Sequence, residues 1–308
     1  MKKDFVSILD LTKEEVLNLF QIAIKVKKEV KSGKYRKDLE QKTLAMIFEK
    51  PSLRTRVSFE TGFTQLGGHA IYLGPKDISL GARESVPDIA RNLDRMVDMI
   101  MARTFTHKSI LDLAEYSKVP VINALSDAEH PCQVLADFLT IMEHKGKVDG
   151  LKFAFLGAGN NMSHSLMLIS ALMGTNFYIG VAKGYEPQDY YVEKSMELAK
   201  KSGSKIVVTY DPIEAAKDAD IIYTDVWASM GEEAEKEERA KAFMKYQVNM
   251  ELFKHAKSDA LFMHCLPAHR GEEVTDDVID SKNSVVFDEA ENRLHAQKAV
   301  MLKLMGKE

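Results

Sequence analysis

The strongest constraint on this chain is an apolar run that ends at a helix cap. Thr43–Phe48 is apolar, too short for a buried helix, and reads as a buried strand. Glu49-Lys50-Pro51 follow, and then apolar residues recur at Val57, Phe63 and Leu66 until Gly67-Gly68 break the pattern. Ser52 is a good N-cap, so Leu53, Arg54 and Thr55 fall in the first helical turn. Ala70–Leu73 reads as a further short strand, which completes a βαβ unit and commits this part of the chain to a parallel sheet. First-turn amides have no intrahelical acceptor, and the helix dipole adds positive character there. With Arg54, Arg56 and two hydroxyls close by, the turn is suited to phosphate.

The same alternation runs through the rest of the chain. Asp98–Ala102 and Val119–Ile122 read as strands, with helical stretches at about 87–95 and 134–144. A polar, glycine-containing stretch, His144–Gly150, breaks both flanking patterns and marks a domain boundary. Beyond it, Lys152–Leu156, Phe177–Ala182, Lys205–Thr209, Ile221–Thr224, Ala260–His264 and Ser284–Phe287 read as strands separated by helical stretches. This predicts an α/β fold of two doubly wound parallel-sheet domains joined by a hinge, covering 1–146 and 147–290. A length of 308 residues suits two cores of about 150 residues each. The last helix, Glu289–Leu304, needs a surface for Leu294, Ala299, Val300, Met301 and Leu304. Residues 291–308 are therefore expected to return to the first domain, bringing Arg293 with them.

A net charge of -4 and a pI near 6.2 argue against a nucleic-acid surface or a polybasic membrane contact. No apolar run approaches the roughly 20 residues of a membrane span, and the apolar stretch after Met1-Lys2-Lys3-Asp4 is too short for a signal peptide. Cys132 and Cys265 cannot form a disulfide framework, so a reducing cytoplasm is expected.

Polar residues gather where strands end. Arg103 stands just past the strand at 98–102, in the region where open parallel sheets bind ligands. His130 precedes Pro131 at a helix entrance, which places it and Gln133 near the same rim; it reads equally as a capping or core histidine. No second ligand follows it at metal spacing, so no metal site is expected. Gly157-Ala158-Gly159 opens like a dinucleotide fingerprint, yet Met162 holds the third glycine position. The following strand leads into Lys183, not into the acid that would hold a ribose. Asn161 is instead a candidate amide for a zwitterionic ligand. Asp225 ends another strand, followed by Ser229, Met230 and Gly231. Cys265, after His264, is open to three readings: nucleophile, proton acceptor or core filler.

Taken in order, Ser52-Leu53-Arg54-Thr55-Arg56, Met101-Ala102-Arg103, His130-Pro131-Cys132-Gln133, Asp225 through Ser229-Met230-Gly231, and His264-Cys265-Leu266-Pro267 resemble the motifs of carbamoyltransferases. The Ser-Met-Gly and His-Cys-Leu-Pro elements are similar to the ornithine branch of that family. The resemblance covers nearly the whole chain and implies carbamoyl transfer from carbamoyl phosphate to L-ornithine, giving L-citrulline and phosphate. A close variant of the same chemistry would use putrescine or an N-acylated ornithine as acceptor. It implies that Ser52, Leu53, Arg54, Thr55, Arg103, His130, Gln133, Cys265, Leu266 and Arg293 hold carbamoyl phosphate, with Arg54, Arg103, His130 and Cys265 acting on the reacting group. Asn161, Asp225, Ser229 and Met230 would hold ornithine. It also implies no cofactor, a homotrimer or a multiple of trimers, and a place in arginine metabolism. Leu53, Ala158 and Ser79 depart from the family pattern, at positions where relatives often carry threonine, aspartate, and glutamine or histidine.

Overall fold

The computed structural model describes residues 3–228 and 233–308. The chain divides into two compact units, Met1–Leu139 with Glu291–Glu308, and Thr140–Ala290.

In the first unit, α1 (Lys13–Lys31) begins at a capping box, Thr12 with Glu15, and buries Val16, Leu19, Phe20, Ala23 and Val26. Then come β1 (Thr43–Phe48), α2 (Leu53–Gln65), β2 (His69–Leu73), α3 (Val86–Leu93), β3 (Met99–Arg103), α4 (His107–Tyr116), β4 (Val121–Leu125) and α5 (Pro131–Lys145). The four strands pair in parallel in the order β2-β1-β3-β4. Ala45, Ile47, Ile100, Ala102 and Val121 of the sheet pack against Ile89 of α3 and Ile110 and Leu113 of α4. The amino-terminal segment lies beside β4, where Phe5 N donates to Val121 O and Asn123 N donates to Phe5 O.

The second unit runs through β5 (Lys152–Leu156), α6 (Asn161–Met173), β6 (Asn176–Gly180), α7 (Asp189–Ser202), β7 (Ile206–Thr209), α8 (Pro212–Ala216), β8 (Ile221–Thr224), α9 (Lys236–Phe243), α10 (Met250–Phe253), β9 (Leu261–His264) and α11 (Asp276–Ile279). Its five strands are also parallel, in the order β7-β6-β5-β8-β9. The near-continuous apolar strands suit sheets covered on both faces. Finally, α12 spans Val286–Leu304, and the boundary between the two units falls within it.

Both sheets are doubly wound. The strand order reverses between β1 and β3 in the first and between β5 and β8 in the second. Such switch points open a crevice at the carboxyl ends of the strands.

Three details differ from the sequence reading. Ser284–Phe287 is not a strand: Ser284 makes a single bridge to Phe262, after which the chain enters α12 at Val286. Buried valines at a helix entrance carry the same apolar signal as a short strand, and the signal alone does not separate them. Helix α4 was not foreseen, although Thr106 caps it by accepting from Ser109 N. Arg103 is the last residue of β3, in register with Phe48 of β1, rather than just past the strand.

Candidate active site

The first unit gathers a capped helix start and basic side chains at its switch point. Ser52 is extended and its hydroxyl accepts from Thr55 N, so α2 starts where the cap demands. No acidic residue lies in the first turn of α2 to offset the positive end of the helix. The Leu53 side chain is 74% exposed, which leaves only its backbone amide to serve the site. Thr55 is fully buried, and its Oγ1 accepts from Arg293 Nη2 at 2.8 Å. Gly62, two turns further along α2, allows close packing on α12: a Cβ there would meet Met301 Cε at 3.2 Å and Leu294 Cδ1 at 3.4 Å. That approach sets Arg293 beside the cap.

Arg103 reaches the same place from the end of β3, where its carbonyl accepts from Glu49 N at 2.9 Å. His130 arrives from the entrance to α5, with Pro131 as the first helical residue. Burial holds the His130 imidazole well below its usual pKa, and the fields of Arg293, Arg103 and Arg54 push it further the same way. All three guanidiniums are therefore close enough to act on His130, which is a neutral imidazole beside them. Gln133 follows on the first turn of α5 and donates from Nε2 to Asp137 Oδ1 at 2.8 Å. Cys132 is a poor nucleophile: burial pushes its thiol up to about 12, and its Sγ donates to Asn123 O.

The loop carrying His130 is tied down by Glu129, which sequence reasoning passed over. Its buried carboxylate accepts from Ser7 Oγ at 2.5 Å and Ile8 N at 3.1 Å. Nothing in the sequence pairs Glu129 with residues more than a hundred positions away.

The second unit places a different chemistry at its own switch point. Gly159 lies so close to the Glu186–Pro187 backbone that a Cβ would meet Pro187 N at 2.1 Å. Asn160 is the N-cap of α6, and its Oδ1 accepts from Met162 N and Ser163 N at 3.0 Å each. Its Nδ2 donates to Asp225 Oδ2 at 3.0 Å. Asp225 Oδ1 accepts from Val226 N at 2.8 Å and from Cys265 Sγ at 3.1 Å. Asn161, the amide singled out from the sequence, is the first residue of α6 and is half-buried. Ser229 and Met230 lie outside the described residues.

His264 orders the turn that carries Cys265 and Leu266. Leu266 N donates to His264 Nδ1 at 2.8 Å, so that nitrogen bears no proton. Nε2–H then donates to Glu273 Oε1 at 3.1 Å, while His264 N donates to Glu289 Oε2 at 3.0 Å. Leu266 is held at φ 56, a conformation that costs an ordinary side chain about 1–2 kcal/mol. Asp225, His264 and Cys265 set potential metal-ligand atoms within 4.8 Å of one another. Each already has a protein partner, which makes the group a hydrogen-bonded network.

Residues 3–143 match the carbamoyl-P binding domain of aspartate/ornithine carbamoyltransferase, and residues 149–304 match its Asp/Orn binding domain. The chain belongs to the aspartate/ornithine carbamoyltransferase family. It is 57% identical over 304 residues to an ornithine carbamoyltransferase of Thermococcus kodakarensis, covering 99% of this chain and 96% of the relative. A catabolic ornithine carbamoyltransferase of Thermoplasma volcanium is 53% identical over 307 residues, covering 99% of both chains. The solved ornithine carbamoyltransferase of Pyrococcus furiosus superposes with a TM-score of 0.96 at 55% identity, covering 98% of this chain and 97% of that one. In this carbamoyltransferase fold, the anion site lies in the region matching the carbamoyl-P domain, and Asp225 lies in the region matching the Asp/Orn domain.

Proposed function

We propose that this protein is an ornithine carbamoyltransferase, which moves the carbamoyl group of carbamoyl phosphate to the side-chain amine of L-ornithine and releases L-citrulline and phosphate. The observation that carries this reading is His130, a neutral imidazole under the combined fields of Arg293, Arg103 and Arg54, with Arg293 locked to the capped start of α2 through Thr55. A doubly charged phosphate needs the guanidiniums, and the carbonyl oxygen, which gains negative charge in the reaction, needs preset donors, to which a neutral imidazole can add an N–H.

In this reading Ser52, Leu53, Arg54 and Thr55 hold the phosphate, through the amides of the helix start and the Arg54 guanidinium. Arg103 bridges phosphate and carbonyl oxygen, Arg293 braces Thr55, and His130 and Gln133 contact the carbamoyl group. Cys265 and Leu266 also serve carbamoyl phosphate. As the amine attacks the carbamoyl carbon, the carbonyl oxygen gains negative charge, and preset donors at Arg103 and His130 stabilise it. The phosphate leaves as an anion already bound by arginine. Asn161, Asp225, Ser229 and Met230 hold the amino-acid end of ornithine, and Asp225 with Ser229-Met230-Gly231 favours an acceptor bearing free α-amino and α-carboxylate groups over putrescine or an N-acylated ornithine. The attacking amine must lose a proton. His264 Nδ1 is filled by the Leu266 amide and the Cys265 thiol donates its own proton to Asp225, which supports the departing phosphate as the acceptor of that proton.

The domain roles follow as 1–146 for carbamoyl phosphate, 147–290 for ornithine and 291–308 as a helix serving the first domain. Exposed apolar side chains on the first unit, Leu53 and Val57 of α2 and Ile71 of β2, support self-association to a trimer or a multiple of it. Among the described residues no helix is long and apolar enough to cross a membrane. Two free cysteines accord with a reducing cytoplasm.

The test is product formation with ornithine, putrescine, N-acetylornithine and aspartate, each with carbamoyl phosphate. Citrulline from ornithine at a kcat/KM well above the other acceptors is expected. No ureido product from ornithine overturns the reading. Light scattering that returns a monomer overturns the trimer.

A further inference from the structure

We propose that Asn160 is a positioning residue of the acceptor site, which fixes the orientation of the Asp225 carboxylate from the start of α6. The inference rests on the reading of Asp225 as an ornithine-binding group and adds a residue to it.

The two ends of the Asn160 amide have different tasks. Oδ1 accepts from Met162 N and Ser163 N, so it must be the oxygen end, and the NH₂ end is thereby turned to Asp225 Oδ2. Asn160 N is also bound, to Ser163 Oγ at 2.9 Å, which closes a capping box and locks the residue in place. A carboxylate has about four lone-pair positions. Asp225 has three donors on it: Val226 N and Cys265 Sγ on Oδ1, and Asn160 Nδ2 on Oδ2. One position remains, on Oδ2, and its direction is set by where Asn160 sits. An ammonium group of the acceptor would be received there. Without Asn160, Oδ2 has two open positions and the carboxylate keeps only its contacts at Oδ1. The bond also spans the switch point, joining the end of β5 to the end of β8.

A plain capping role and a positioning role are separable, because serine and aspartate both cap well. Asn160→Ser keeps an oxygen for the α6 amides but is too short to donate to Asp225. Asn160→Asp keeps the length and the cap but places a carboxylate against Asp225, which raises the pKa of one of the pair. Steady-state kinetics on the intact protein, varying each substrate in turn, read the outcome. For Asn160→Ser the expected result is an ornithine KM raised at least tenfold, a carbamoyl phosphate KM within twofold of the parent, and a Tm within a few degrees. For Asn160→Asp the acid limb of the ornithine kcat/KM profile should move to higher pH as well.

Unchanged ornithine KM in both variants, with the parent fully active on ornithine, overturns the positioning role and leaves the function standing. Equal rises in both KM values, with a lowered Tm, point to a purely structural cap and overturn it too. A parent protein without citrulline production overturns the function and this inference together.

Discussion

The two switch points of this molecule solve opposite electrostatic problems. At the end of β1 and β3 the chain concentrates positive charge: Arg54, Arg103 and Arg293 all act on the buried His130. At the end of β5 and β8 it concentrates donors on one negative group, with Asn160, Val226 and Cys265 all bonded to Asp225. The first site is suited to an anion that leaves with more charge than it had in the mixed anhydride. The second is suited to a cationic headgroup that must be held but not altered. One topology supports both because the crevice at a switch point dictates only where ligands go, and the side chains decide which.

If that contrast is right, the first site should be the more damaging to break. Arg54→Ala or Arg103→Ala should lower kcat by at least about 10²-fold, because each removes a preset cation from developing negative charge. Circular dichroism should show the fold intact. Near-normal turnover in either variant would sink the assignment. Asp225→Asn, by contrast, should fall mainly on the ornithine KM, since the amide keeps the shape and loses the charge. An unchanged ornithine KM would remove the contrast between the sites.

A smaller effect should come from Thr55→Val. Valine keeps the buried volume but removes the acceptor for Arg293 Nη2. The free energy of leaving a charged donor short of one bond is roughly 1–3 kcal/mol. That predicts a carbamoyl phosphate KM raised about tenfold or more, with ornithine KM little changed. A Thr55→Val variant with ordinary carbamoyl phosphate affinity would show that Arg293 is placed by helix packing alone.

How much of each site could be read from the sequence follows from how local its signals are. Ser52, Arg54 and Thr55 stand in one turn, with the cap and the apolar spacing beside them, so the anion site was legible in outline. Strand β1 and strand β5 were read to the residue, because each is an uninterrupted apolar run bounded by breakers. Arg103 was placed by the rule for strand ends and His130 by the proline that follows it at a helix entrance, yet their mutual electrostatics needed coordinates. In the second unit Asn160 and Asn161 are adjacent and chemically identical, and only the cap geometry shows that the first of them turns to Asp225. Glu129 and Glu273 were invisible for a related reason: their partners come from folding, and a buried carboxylate looks like a surface one in a sequence. The Ser284–Phe287 run failed because apolar character was read without its neighbours, where a helix start was already waiting.

The contrast also extends to acid stability. Three imidazoles of the first unit, His107, His130 and His295, are pushed below their usual value of 6.5, in each case chiefly by burial. His295 is brought to about 4, with the charge of Lys298 as the next cause. A base whose pKa is lowered on folding takes up its proton more readily when unfolded. Its neutral form is fully compatible with the fold above pH 6.5, and stability is lost as pH falls from there toward 4. Carboxylates held low in the second unit, such as Asp259 and Asp280, respond only below their ordinary 3.8. The interval between is therefore where these imidazoles should loosen the first unit. Hydrogen exchange at pH 7.5 and pH 5 should show protection falling first across α2, α5 and α12. His295→Gln should reduce that fall, because glutamine keeps polarity at the site and takes up no proton. Equal loss of protection in both units, or a His295→Gln variant with the same acid slope, would show that the burial of these imidazoles does not govern acid stability.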